Sequence, residues 1–300
     1  MASTPQEFAD LLEPKLSNIW HDAFPGRESV FSSLFNIRDM NKMTITDAKL
    51  AGFGPLQDQA FGSKIKFDDP LSPIDKSYTY SVRGLAYKIL EALWMNDLYG
   101  EVERFEKDLM DSAHDDTETS AASVFNNGFG TTNTGFDGLA LFSTAHTRLD
   151  GGSNQANKAS TDEALSVSGI KNGLITMRKW VNDRGRPRIH TPQKLIIPPD
   201  LMMTAYEILD SEKHPETANN TVNVIKGRFN LSLTIWNYLT STTAWFIEAD
   251  NHDLNFLWRF RPQSGTRTEW DTESIDRKVR QGYAYGFGEW RGIYGSDGVA

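Results

Sequence analysis

The chain contains no cysteine among its 300 residues. That removes disulfide frameworks, thiolate catalysis and cysteine zinc sites, and is compatible with a reducing compartment. It also lacks an excess of basic residues: 31 Lys and Arg stand against 40 Asp and Glu, a net charge of -9. Binding nucleic acid through overall charge needs clustered cations that release counterions, which this balance argues against. No apolar run approaches the length of a membrane span, and the N-terminal Met-Ala-Ser-Thr-Pro-Gln-Glu-Phe lacks the basic-then-apolar order of a secretory signal. A soluble protein that stays where it is made is expected. Phosphate and dinucleotide fingerprints are missing too: no Gly-Lys-Ser/Thr occurs, and Gly286-Phe287-Gly288 lacks a third glycine and a following helix.

What is present is an ordinary globular composition, 39% apolar and 24% charged, with a generous supply of 17 Phe and 8 Trp. The most organised stretch runs from Asn96 to Thr147. Val102, Phe105, Leu109, Ala113, Ala121 and Val124 recur near the helical repeat. This predicts one helix over about 96–127, with Asn96 or Asp97 as cap and Gly128 as a left-handed C-cap. About thirty helical residues span roughly 45 Å, the length of a strut along an extended subunit.

Before it, residues 1–48 read as an arm of small amphipathic pieces carrying Phe8, Trp20 and Phe31. Residues 49–88 read as a long hairpin, with strands at Lys64–Phe67 and Tyr78–Val82 around a turn containing Pro70 and Pro73. After the helix, Leu139–Phe142 is a buried-strand candidate, and the polar run 150–160 marks a domain boundary. A helix capped by Ser160 or Thr161 is expected through Val181. A strand at Lys194–Ile197 and a helix opening at Pro198-Pro199-Asp200 follow. Beyond a polar loop at Ser211–Asn220, strands are expected at Thr221–Ile225, Leu231–Trp236, Thr243–Glu248, Leu254–Phe260 and Arg267–Phe287. The whole is an α+β chain.

Candidate chemistry is thin. Asp137, Ser143 and His146 have the residue types of a hydrolase triad, yet lie within ten residues of each other, and Ser143 has no glycine on either side. A structural turn held by local hydrogen bonds is the favoured reading. The histidines are scattered, and His114-Asp115-Asp116 reads as a solvated helix face, so no metal or cofactor is expected. Arg184, Arg186 and Arg188 bracket Pro187 as the densest basic cluster, read first as a solvated turn and second as a contact for an acidic neighbour.

Asp137-Gly-Leu-Ala-Leu-Phe-Ser-Thr-Ala-His146, preceded by Ser123-Val-Phe-Asn-Asn-Gly-Phe129, resembles the signature of tailed-phage major capsid proteins of the Mu-type major head subunit group. Lys194–Leu201 with Ala205, Thr243–Asp250 and Arg277–Phe287 match further segments in order, so that the resemblance covers about residues 75–295. It implies a Hong Kong 97-type capsid fold. Residues 1–48 would be the N-arm, 49–88 the extended E-loop, and 89–158 the first part of a peripheral domain with its spine helix. Residues 159–250 would be the axial domain, whose loops meet around capsomer axes, and 251–300 the return strands of the peripheral domain.

The resemblance implies a non-enzymatic structural subunit with no catalytic residues to transfer. Copies would assemble in the host cytoplasm through hexameric and pentameric capsomers into the shell of a virion, around weakly contacted double-stranded DNA. A separate scaffolding protein, a portal and a decoration protein are the implied partners, with no membrane. Assembly contacts are expected at Phe8, Trp20, Phe31, Phe53, Phe61, Lys64, Phe67, Pro70, Pro73, Tyr78, Arg184 and Arg186. Gly128, Asp137, Gly138 and His146 are expected to form the structural turn after the spine helix. The rival readings are a hydrolase using Ser143 and His146, and a tail or decoration binding module.

Overall fold

The computed structural model describes residues 29–65, 67–90, 92–93, 101–213 and 222–298. Phe8, Trp20, the start of the expected long helix and most of the Ser211–Asn220 loop lie outside them. Two four-stranded sheets share one core. The first has the order β1 (Asn36–Asp39), β8 (Leu254–Glu269), β9 (Ser274–Phe287), β4 (Ser81–Leu90); β1 runs parallel to β8 and the other pairs are antiparallel. The second has the order β10 (Ile293–Ser296), β7 (Trp245–Ala249), β5 (Pro192–Ile197), β6 (Ser232–Ile235). β2 (Thr44–Lys49) and β3 (Ile74–Thr79) form a separate antiparallel pair. The end of 251–300 departs from expectation: β10 pairs with β7 and so completes the second sheet instead of the first.

Five helices are described: α1 (Phe31–Leu34), α2 (Glu101–Asn126), α3 (Val167–Lys179), α4 (Met202–Asp210) and α5 (Val224–Arg228). The long helix is present, and Val102, Leu109, Ala113, Ala121 and Val124 are buried as their spacing requires. Phe105 sits on the rim beside the Tyr87 ring. What the apolar spacing does not show is how α2 lies on β9. Glu106, fully buried, pairs with the buried Arg277, whose Nε donates at 3.2 Å, and Tyr87 donates its hydroxyl to the same carboxylate at 2.8 Å. Further along, Gln281 donates to the Ala113 carbonyl at 3.0 Å, and the Tyr283 hydroxyl donates to Asp116 at 2.7 Å. Asp116, expected to be solvated, therefore faces the sheet. Towards the last turns of α2 the buried face becomes aromatic and aliphatic. There Phe125 meets Phe246 of the second sheet at 5.1 Å and Trp236 at 5.7 Å, edge-on in both cases.

Glu118, one percent exposed, ties three segments together. Its carboxylate accepts from Ser29 Oγ at 3.0 Å, the Phe31 amide at 3.3 Å and Trp236 Nε1 at 2.8 Å. Phe31 consequently enters the core against Phe256, with ring centroids 4.8 Å apart.

Several local expectations fail for identifiable reasons. The hairpin exists, but its first strand is β2 rather than Lys64–Phe67. Thr44 and Thr46 match Thr79 and Ser77 across the pair through hydroxyl contacts at 3.0 Å, whereas Gly52, Gly54, Pro55, Gly62, Pro70 and Pro73 interrupt any ladder over 50–73. β2 also lies in the segment assigned to the arm. α3 begins at Val167 under a Ser166 cap, because the Glu163 backbone is already bonded to Ser296 and Trp245. Of the expected strand Thr221–Ile225, the described residues 222–225 are instead the entry to α5, capped by Asn223, whose Oδ1 accepts from the Ile225 amide at 3.0 Å.

Replacing Glu106 with Ala strands a buried guanidinium. The expected loss is about 3–5 kcal/mol of unfolding free energy by urea titration. A loss below about 1 kcal/mol would show that the pair does not hold α2 on β9.

Candidate functional site

The turn from Asp137 to His146 is built around a buried imidazole. His146 Nδ1 lies 2.6 Å from Asp137 Oδ2, and Nε2 lies 3.1 Å from Asn157 Oδ1. The Asn157 amide is oriented by its own donors, which reach the Leu141 carbonyl at 2.6 Å and the Ile293 carbonyl at 3.1 Å. Its oxygen also accepts from the Ser143 amide at 2.9 Å. The His146 ring stacks on Trp290 at 4.2 Å, nearly parallel. Burial acts to raise the Asp137 pKa, but the hydrogen bond and charge of His146 outweigh it and hold the carboxyl below its ordinary value. Both ring nitrogens are engaged, and the Ser143 hydroxyl instead accepts from the Ala145 amide at 3.2 Å. A triad needs the imidazole free to take the nucleophile's proton, so this arrangement is a structural post.

The glycines of the turn act differently from one another. Gly138 has φ +72°, a left-handed turn position. Gly128 is not left-handed as expected. It is required by close approach, since a Cβ there would lie 2.7 Å from the Phe142 ring. Leu139–Phe142 is accordingly a turn rather than a strand, with Leu141 and Phe142 buried. Asn157 was legible only as linker chemistry; its role depends on a carbonyl 136 residues away.

The exposed candidates gather in one place. Residues 50–65 and 67–73 form a loop without strand structure, presenting Phe53, Leu56, Phe61, Ile65 and Phe67 to solvent, with Phe61 and Phe67 fully exposed. Lys64, Pro70 and Pro73 are also exposed there. The base of the loop, by contrast, is welded down by charge. Lys49 bridges Asp183 (2.6 Å) and Glu289, and the buried Arg291 contacts the same two carboxylates at 3.2 and 2.7 Å. Arg184 clasps both stems, donating through Nε to the Gly52 carbonyl at 3.0 Å and through Nη2 to the Asp69 carbonyl, with Asp68 at 3.5 Å. Arg186 is exposed and makes no such side-chain contact among the described residues. Two expected assembly contacts are corrected. Phe31 and Tyr78 are buried within the subunit, Phe31 against Phe256 and Tyr78 beside Met40, Leu257 and Ala284, because the segments carrying them pack on the first sheet.

A second charged knot sits where α1, β5 and β7 meet. Glu248 Oε1 accepts from Lys194 at 3.0 Å and faces His252 Nε2 at 3.3 Å, while Lys194 also reaches the Ser33 carbonyl. Burial raises the Glu248 pKa to about 7 against the pull of Lys194; burial, then the Lys194 charge, lowers that of His252 to about 4.

Two outcomes follow from these contacts. Arg184→Ala should speed proteolytic cutting within 50–73 several-fold while costing no more than about 1 kcal/mol of global stability; unchanged cutting would show that the clasp does not hold the loop. For Glu248, the folded chain retains a proton that the unfolded chain gives up above 4.5, so its contribution to stability falls as pH rises from 4.5 to about 7. His252 acts in the opposite sense, its contribution falling as pH drops from 6.5 towards 4. Glu248→Gln removes only the first slope. Its stability relative to wild type should rise with pH across that window by on the order of 3 kcal/mol in urea titrations, and a constant difference would contradict the assignment.

The chain's likeness to known proteins agrees with a structural reading. The family described as phage capsid protein matches residues 75–296. A comparison with curated proteins finds no match. Among solved structures, the chain is similar to one titled Capsid structure of the Cyanophage P-SCSP1u, at 8% identity and TM-score 0.59 over 90% of this chain and 88% of that one. It is similar to a Mycobacterium phage Che8 chain at 10% identity and TM-score 0.55, covering 89% and 90%. A Microbacterium phage Oxtober96 chain gives 12% identity and TM-score 0.54, covering 90% of each. Identities this low speak to the fold, a mixed α+β architecture shared with these phage proteins. The family match spans well over half of the sequence, and by it the chain belongs to the phage capsid protein family.

Proposed function

We propose that this chain is the major head subunit of a tailed bacteriophage, many copies of which close into an icosahedral shell around double-stranded DNA. The observation that carries the reading is the loop 50–73: five large apolar side chains stand in solvent on a loop whose base is fixed by buried ion pairs. A clustered apolar surface of this kind marks an interaction site, and a rigid base lets it reach a neighbour at a set angle. In Hong Kong 97-type terms, 50–73 with β2 and β3 is the E-loop, α2 the spine helix and the first sheet the peripheral domain. The second sheet with α3–α5 is the axial domain. Phe53, Phe61 and Phe67 are the loop's anchors on the next subunit, with Lys64, Pro70 and Pro73 at their margin.

Repeated heterologous contacts that close by rotation give rings, the hexameric and pentameric capsomers of a shell in the virion. The net charge of -9 suits a wall that holds its genome weakly. A separate scaffolding protein, a portal and a decoration protein would complete assembly in the host cytoplasm. No enzymatic role is assigned to Ser143 or His146.

Electron microscopy and light scattering of the purified chain should show rings or shells, and Phe61→Ser with Phe67→Ser should abolish them without lowering the thermal midpoint by more than a few degrees. A double variant that assembles like wild type would overturn the role given to the loop.

A further inference from the structure

A second exposed surface lies far from the loop. β8 and β9, with β4 alongside β9 as far as Ser274, run on past β1 to a turn at 270–273, where Trp270 is 79% exposed. The turn is internally fixed: Thr272 Oγ1 donates to Glu269 at 3.2 Å and lies 2.7 Å from Ser274 Oγ, and Glu273 takes a left-handed φ of +46°. Glu269 is neutralised by Lys88, but Asp271 and Glu273 are exposed and have no ion pair among the described residues. An indole held out on a stiff turn and followed by two uncompensated carboxylates has the form of a binding anchor.

The opposite character appears on the turn after α3. Its backbone is closed by Asn182 N to Arg186 O at 2.8 Å and Arg188 N to Trp180 O at 3.1 Å. Arg184 is used up by the loop, while Arg186 and Arg188 are exposed, have no ion pair among the described residues, and are followed by an Ile189 that is 73% exposed. Beside Arg188 opens a cleft of about 480 Å³, into which faces His190, a buried imidazole set edge-on to Trp180 at 5.5 Å. Such a volume receives a group of indole size, and an arginine at its mouth can lie over the ring.

These two surfaces cannot meet within one copy. Asp183, at the basic turn, is bonded to Arg291, just past the root of the ribbon, whereas Trp270 sits at its far end. β8 runs 16 residues from Leu254 to Glu269, roughly 50 Å at the rise of an antiparallel strand.

We propose that the Trp270 tip of one copy docks on the Arg186–Ile189 turn of another copy of this chain, the indole entering the cleft by Arg188 while Asp271 and Glu273 pair with the two arginines. The contact is heterologous, so it propagates into rings or nets instead of stopping at a dimer. It rests on the shell reading and adds a contact that the loop does not make.

Charge reversal tests it, since all four charged residues are exposed and their replacement spares the core. Asp271→Lys with Glu273→Lys, and separately Arg186→Glu with Arg188→Glu, should each raise the concentration at which light scattering detects assembly at least tenfold, with unchanged thermal midpoints. Trp270→Ala should do the same. Combining all four reversals in one chain should restore assembly to within about threefold of wild type, because the pairs are then complementary again. Reversals that assemble like wild type, or a combined variant no better than its parents, would overturn the contact; so would an effect seen only when another protein is added. A separate readout keeps the contact and the shell distinguishable. In this cysteine-free chain, Asp271→Cys together with Arg188→Cys should give an oxidised ladder of linked copies, and each single variant no more than dimers. Wild type that forms no particle would sink the shell reading while the ladder still reports the contact, and absence of a ladder would overturn the contact in particles that do form.

Discussion

The structure depends on the polar register between the long helix and the β8–β9 ribbon. Apolar faces alone let a helix slide over a sheet, because one leucine contact is much like the next. Here Glu106 with Arg277, Ala113 with Gln281, and Asp116 with Tyr283 engage at successive steps along α2. Each pair is satisfied only at one alignment, since a shift would leave buried charges and hydroxyls without partners. Once α2 is fixed, Phe125 falls between Trp236 and Phe246, and the second sheet has its place. Glu118 does the same for the incoming chain at Ser29 and Phe31.

That interior contrasts with the exterior. Fixed charges surround the base of the loop 50–73, yet the loop itself presents phenylalanines to water. Trp270 repeats the pattern at the tip of the ribbon. A chain that ended its work as a monomer would gain stability by covering these groups. Their exposure, set on rigid supports, fits a subunit whose folding is completed by its neighbours.

The sequence made the frame legible where one physical period dominates. The stripe from Val102 to Val124 predicts α2, the Lys194–Ile197 run predicts β5, and the alternation at Tyr283, Tyr285 and Phe287 predicts β9. It hid what depends on distant partners. Glu106 and Asp116 look like solvent-facing helix residues until Arg277 and Tyr283 are brought beside them. Asn157 looks like linker until it is seen holding His146 and the Ile293 carbonyl. The Asp137–His146 block reads as a turn apart from its Leu139–Phe142 segment, which reads as a strand, and Gly128 reads as a left-handed cap although contact with Phe142 is what requires it. Phe31 and Tyr78 read as assembly contacts because aromatic residues in short amphipathic segments do not reveal whether the same subunit or a neighbour covers them.

Amide hydrogen exchange compared between the dispersed subunit and assembled particles tests the central claim, that exposed apolar surface on a rigid frame is completed by other copies. Residues 53–67 should gain protection of tenfold or more on assembly, while amides of α2 near Glu106 stay within about twofold. Equal exchange in the loop before and after assembly would contradict the account.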